Sequence, residues 1–364
     1  MEQSIDIQVT NFMRLIEERY LSTDTVYRPM DFAQKAQFFT LDVIADIAFG
    51  NAFGYLESDS DCYSYLEKVG ESLSMMMIAS IFPWLVPIFH SPLLRGFIPS
   101  EKDVLGLGKI MKYVPPILRP KNMDIYLWCS IAHEAVGKRF GPDKTEKRDM
   151  LGSFVRHGLT QTEAESESLV QMYVFLLNLC SVNKFIDFVT SFAGSDTTAT
   201  AIRVMMLHVI TNPPVYSRLL AEITDTNISS PITDSEARGM PYLQAFIKES
   251  LRIHPPVTGS MYKDAPRGGD TLNGYFVPEG TGIGWSTFGM MHDVAFWGED
   301  AKVFRPERWF QGTPDEIKSK EARVELVFAY GKWQCLGKEV GKIELNKVLV
   351  EVCMTLYFCM KGKK

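Results

Sequence analysis

The stretch Phe328–Val348, FAYGKWQCLGKEVGKIELNKV, holds one cysteine, Cys335, between Gly331 and Gly337 and directly before an amphipathic helix pattern. The two glycines permit backbone turns that other residues resist, and Gly337 lets a ligand approach closely. A helix beginning near Gly337 aims free N–H groups and the positive end of its dipole back at the sulfur. That arrangement stabilises a metal-bound sulfur anion. No second cysteine or histidine stands at ligand spacing, so a four-ligand zinc site cannot form locally. A single thiolate suits one axial position on a haem iron. The competing reading is an inert buried thiol, because free cysteine is among the most buried residue types.

The chain around this stretch has 364 residues, 46% hydrophobic and 23% charged, enough for one large domain or two smaller ones. A net charge of −6 argues against nucleic acid as a partner. Six scattered cysteines (Cys62, Cys129, Cys180, Cys335, Cys353 and Cys359) include no CxxC pair, so neither a zinc site nor a disulfide framework is suggested and a reducing compartment is the simpler reading. No signal peptide opens the sequence. Residues 75–89 are apolar but broken by Pro83 and Pro87. Residues 169–193 are long enough to span a bilayer, yet Asn178, Asn183, Lys184 and Asp187 make them a poor transmembrane helix.

Helix signals dominate. Asp31 is placed to cap a run that Gly50 stops, and Pro241 opens a helix that Pro255 and Pro256 end. Strand signals cluster between about residues 257 and 285, with turn pairs at Asn273-Gly274 and Glu279-Gly280. The expected fold class is mainly α (α+β), a helical body with a small β region late in the chain.

Three further motifs precede the cysteine. Ala193–Thr200, AGSDTTAT, sits in an apolar helical pattern, where Asp196, Thr197 and Thr198 compete for backbone hydrogen bonds and predict a local distortion. Gly194 there would admit a flat ligand. Glu249 and Arg252 are three apart, on one helix face. Phe304–Trp309, FRPERW, reads alone as a loop.

The ordered set, AGSDTT, ExxR, FRPERW and FxxGxxxCxG, resembles the cytochrome P450 family of haem-thiolate monooxygenases, and GGDTLNGYFVPEGTGIG and GEDAKVFRPERW look like its fungal secondary-metabolism branch, near the pisatin-demethylase-like group. The resemblance implies haem b with Cys335 as its axial iron ligand. Asp196 and Thr197 would be catalytic, relaying protons to dioxygen. Phe328, Gly331, Lys332, Gly337, Ala193 and Gly194 would line the cofactor, and Glu249, Arg252 and Arg308 would form a buried structural network. Val257, Thr258, Gly259 and Ser260 would face a small lipophilic substrate. Lys332, Lys338 and Lys342 would meet an NADPH-cytochrome P450 reductase, unless they are an ordinary solvated helix face. A monomer without nucleic acid partners is expected, on the endoplasmic reticulum membrane in the full-length family. The alternative is a catalytically inactive haem-binding or scaffold fragment.

The sequence also departs from that pattern. Trp333 stands where the family usually has an arginine or histidine for a haem propionate, with Lys332 as the candidate substitute. Both ends look incomplete against the family, giving a single incomplete domain over 1–364 without its anchor. Residues 112–130 and 172–191 interrupt the family pattern and read as non-family insertions; around the second, a continuous helix from Glu163 to Asn212 would be roughly 75 Å long, at about 1.5 Å per residue. Both stretches can be encoded with intron-like borders, so retained introns are expected.

Overall fold

The computed structural model describes residues 1–23, 25–62, 66, 136–140, 150–161, 194–259 and 263–355. The chain divides into two compact units, one of Met1 and Gln3–Asp196, the other of Glu2 and Thr197–Lys364. The suspected insertions at 112–130 and 172–191, and both apolar runs, lie outside the described residues. Among the described residues, no helix is long and apolar enough to cross a membrane.

In the first unit the helix Phe32–Phe49 begins and ends as its residues dictate. Asp31 accepts the Gln34 N–H at 3.0 Å, and Gly50 closes the helix in the left-handed region at φ 72°. Its apolar face meets the helix Glu2–Leu15 through Phe12 and Phe39, stacked 5.5 Å apart. Asp42, buried on the same helix, accepts the N–H groups of Gly54, Tyr55 and Leu56 and so caps the short helix Tyr55–Ser58. Burial pushes its carboxyl above the usual range despite those bonds.

The second unit carries the helix Asp196–Thr211 from Thr197 onward and the helices Pro213–Asp225, Pro241–Ile253, Pro314–Glu325 and Lys338–Thr355, with shorter turns between them. Pro213 and Pro241 open their helices, where a missing N–H is harmless. The β region is two small antiparallel pairs. β2 (Asp270–Leu272) and β3 (Tyr275–Val277) form a hairpin, its turn at Asn273 and Gly274 with both φ positive. The second turn signal resolves differently. Glu279-Gly280 makes no hairpin of its own; it leads into β4 (Gly282–Ile283), which pairs with β1 (Lys263–Asp264). FRPERW also gains structure, since Pro306–Phe310 is a 3-10 helix.

The Lys338–Thr355 helix buries several polar groups, and nearly all are answered. Asn346 bonds Gln244 and Asp234, and Glu351 accepts from Ile232 N and Ser230 Oγ. Glu344 differs: it is 1% exposed, and its Oε2 has no partner among the described residues. Burial pushes its carboxyl well above the ordinary range. The folded state therefore holds a proton that the unfolded chain releases above the ordinary carboxyl pKa, so stability falls as pH rises through that window. Glu344→Gln keeps the shape without the titration. It should raise the unfolding free energy at ~pH 8 by of order 1 kcal/mol or more, and with it the denaturant midpoint, and leave both nearly unchanged at ~pH 4. Equal midpoints for both proteins at both pH values would contradict the burial argument.

Candidate active site

The sulfur loop is built by three short elements. Pro314–Glu325 ends in the 3-10 turn Leu326–Phe328, a second 3-10 turn covers Gly331–Trp333, and the long helix starts at Lys338. Across the loop the Cys335 N–H donates to the Phe328 carbonyl at 2.8 Å. Gly331 sits at φ 63°, where a side chain is strained. Ala329 sits at φ 56° and ψ −167°, a region otherwise kept for glycine. Cys335 is exposed, against the reading of an inert buried thiol. Leu336 beside it is 96% exposed and Trp333 50%, so the thiol stands on an apolar rim.

A single thiol on an apolar rim suits a flat, hydrophobic macrocycle taking one axial sulfur. A Cβ at Gly331 or Gly337 would meet nothing within 4 Å, which leaves the loop open to such a group. Among the described residues, no three His, Cys, Asp or Glu side chains converge as a metal cluster. Beside the sulfur loop, the Lys263 ammonium of β1 lies 4.5 Å over the Trp333 ring. Sequence reading passed over Lys263, because its partner is 70 positions away.

The AGSDTT segment is placed otherwise than expected. Gly194 and Ser195 form a turn, and the described helix begins at Asp196. Asp196, Thr197 and Thr198 thus occupy a first turn, where an acidic side chain complements the dipole and no mid-helix distortion is needed. Gly194 also packs closely, since a Cβ there would come within 3.1 Å of Ile44 Cγ1. Ala193 lies outside the described residues. Within the second unit, Thr198 reaches the sulfur helix, its Oγ1 3.5 Å from where a Cβ on Gly341 would stand.

The charge network is the most completely built feature. Glu249, Arg252 and Arg308 are all buried. Arg252 donates from Nε and Nη2 to the two Glu249 oxygens at 2.9 and 2.8 Å, and Arg308 Nε donates to Oε1 at 2.9 Å. Trp309 Nε1 and the Arg305 backbone N–H complete the carboxylate's donors. The remaining guanidinium N–H groups are taken by carbonyls of Met291, Ala301 and Val303 and by Asp300. The network fastens the Pro241–Ile253 helix to the 291–309 segment.

Two expectations fare less simply. Lys338 and Lys342 both pair with Glu325, at 2.5 and 2.6 Å, so neither is an unencumbered cation for a partner. Val257, Thr258 and Gly259 are exposed, and Ser260 lies outside the described residues.

The cytochrome P450 family model matches residues 185–358, which span the acid–threonine turn, the charge network and the sulfur loop. Cytochrome P450 monooxygenase ABA1 of Pyricularia oryzae is 38% identical over 361 residues, covering 97% of this chain. Residues 185–358 belong to the cytochrome P450 family. Cytochrome P450 monooxygenase aba1 of Botryotinia fuckeliana is 36% identical over 359 residues and 97% of this chain. Pisatin demethylase of Fusarium vanettenii is 28% identical over 334 residues, 89% of this chain and 56% of that protein. The chain spans 63% of the length of the first two relatives. These relatives place this cytochrome P450 in the fungal secondary-metabolism branch, and the mainly helical architecture with small sheets is that of the family.

Proposed function

We propose that this chain is the haem-binding part of a monooxygenase that oxidises a small lipophilic metabolite. Substrate–H, O2, two electrons and two protons give substrate–OH and water. The observation that carries the reading is Cys335, exposed on an apolar glycine loop at the mouth of an 18-residue helix. When bound there, haem would supply dioxygen activation, and a thiolate from Cys335 would tune it as an electron-donating ligand. Cys335 would hold the iron, Lys263 beside Trp333 would attract a carboxylate edge, and the rim residues would exclude water from the sulfur. Asp196 supplies a carboxyl and Thr197 a hydroxyl for proton delivery to dioxygen. The electrons are assigned to an NADPH-dependent flavoprotein reductase, and the site of action to the endoplasmic reticulum surface. One relative, pisatin demethylase, is named for removing a methyl group, which is in keeping with oxidation of a small metabolite here.

Haem reconstitution followed by a reduced carbon monoxide difference spectrum tests the reading. A thiolate-type band supports it; haem uptake without that band, or no uptake, favours the inactive-fragment alternative. In the active protein, Thr197→Ala should leave haem content and substrate binding intact and divert most reducing equivalents into peroxide. The ratio of NADPH consumed to product formed measures this, and an unchanged ratio would remove Thr197 from the proton path.

A further inference from the structure

Glu325 belongs to none of the family motifs, yet it meets the sulfur loop at its base. It is the last residue of the Pro314–Glu325 helix, and the loop that follows returns to the long helix at Lys338. One carboxylate oxygen faces the Lys338 ammonium and the other accepts from Lys342, one turn further along. Both ammonium groups also lie within cation–π reach of the Phe328 ring, at 5.8 and 5.5 Å. Phe328 is the residue whose carbonyl takes the Cys335 N–H. Burial alone would raise the Glu325 carboxyl, but the bonds from Lys338 and Lys342 prevail and hold it below the usual carboxylate range. It is therefore ionised wherever a cell operates.

We propose that Glu325 is a positioning residue for the axial sulfur: gripped at both oxygens by Lys338 and Lys342, it closes the base of the 326–337 loop and fixes where Cys335 is presented. The loop needs such a closure. Ala329 holds an unfavourable backbone conformation, and two flexible glycines follow it, so its own sequence does not favour the observed shape. The two ammonium groups would also bias the electrostatics at the sulfur if the carboxylate were removed. This role rests on the haem-thiolate reading, but the loop closure itself can be measured without haem.

The test uses the full chain with and without haem, and the variants Glu325→Gln, Glu325→Asp and Lys342→Met. In the haem-free protein, hydrogen exchange at the Cys335 amide should quicken about three- to ten-fold in Glu325→Gln while amides of the Lys338–Thr355 helix interior stay protected. Glu325→Asp should restore most of the protection, and Lys342→Met should show a smaller loss. In the haem-loaded protein, Glu325→Gln should shift the iron reduction potential positive, a change that a merely structural role would not produce, and Asp should reverse it. Unchanged exchange at Cys335, or equal loosening of the whole helix, overturns the proposal. If Glu325→Gln does not fold, Lys342→Met decides by the same two measurements. Failure of haem uptake with the exchange effect intact overturns the monooxygenase reading alone.

Discussion

Glu249→Ala is expected to destabilise the protein by about 3–5 kcal/mol, most of a typical domain's stability. The carboxylate is 0% exposed and accepts five hydrogen bonds, two from Arg252 and one each from Arg308, Trp309 and the Arg305 backbone. Removing it leaves two guanidinium groups buried beside each other with their negative partner gone, and Asp300, partly exposed and shared with Arg305, pairs with Arg308 but not with Arg252. The carbonyls around Arg252 can hydrogen-bond it but cannot neutralise it. Glu249→Gln keeps the shape yet turns an N–H toward the guanidiniums, so it should lose nearly as much. Denaturant unfolding of both variants is the measurement. A loss below ~1 kcal/mol for Glu249→Ala would mean that water enters and rescues the arginines, and the network would then lose its structural standing.

Cys335→Ser should abolish the thiolate signature of the reduced carbon monoxide spectrum almost completely, with little change in folding stability. The side chain is exposed, so the protein matrix hardly registers the exchange of sulfur for oxygen. The iron would register it fully. A thiolate is a soft, strongly donating axial ligand, whereas a serine hydroxyl is far less acidic and does not hold iron as an anion in the same way. The comparison of spectrum with unfolding midpoint separates ligand loss from collapse. A retained thiolate band in this variant would require another of the chain's cysteines at the iron and would displace Cys335 from the site.

What could be read from the chain and what could not divides along physical lines. Asp31, Gly50, Pro241 and the Asn273-Gly274 turn act within one helical turn or one hairpin, where residue type and φ preference suffice. Glu249 and Arg252 are legible for the same reason, being one turn apart. Most of what surrounds them is not. The carbonyls of Met291, Ala301 and Val303 satisfy Arg252, and any residue supplies a carbonyl, so no side-chain pattern betrays them. Lys263 and Trp333 meet only once β1 and the sulfur loop are folded. The packing of Ile44 against Gly194, 150 positions later, is equally invisible in the sequence. A glycine announces that something comes close, and leaves open what it is.

Ala329 puts the sulfur loop one nucleotide from relief. Every alanine codon becomes a glycine codon by a single change at its second base, and glycine accepts φ 56° with ψ −167° where alanine does so under strain of roughly 1–3 kcal/mol. The substitution would leave the Phe328 carbonyl free to keep its bond to Cys335 while lowering the demand on the groups that hold the loop shut. In a randomly mutated population screened for retained haem at rising temperature, glycine at position 329 should therefore recur among independent survivors, and its absence from a saturated screen would show that the loop prefers tension to slack.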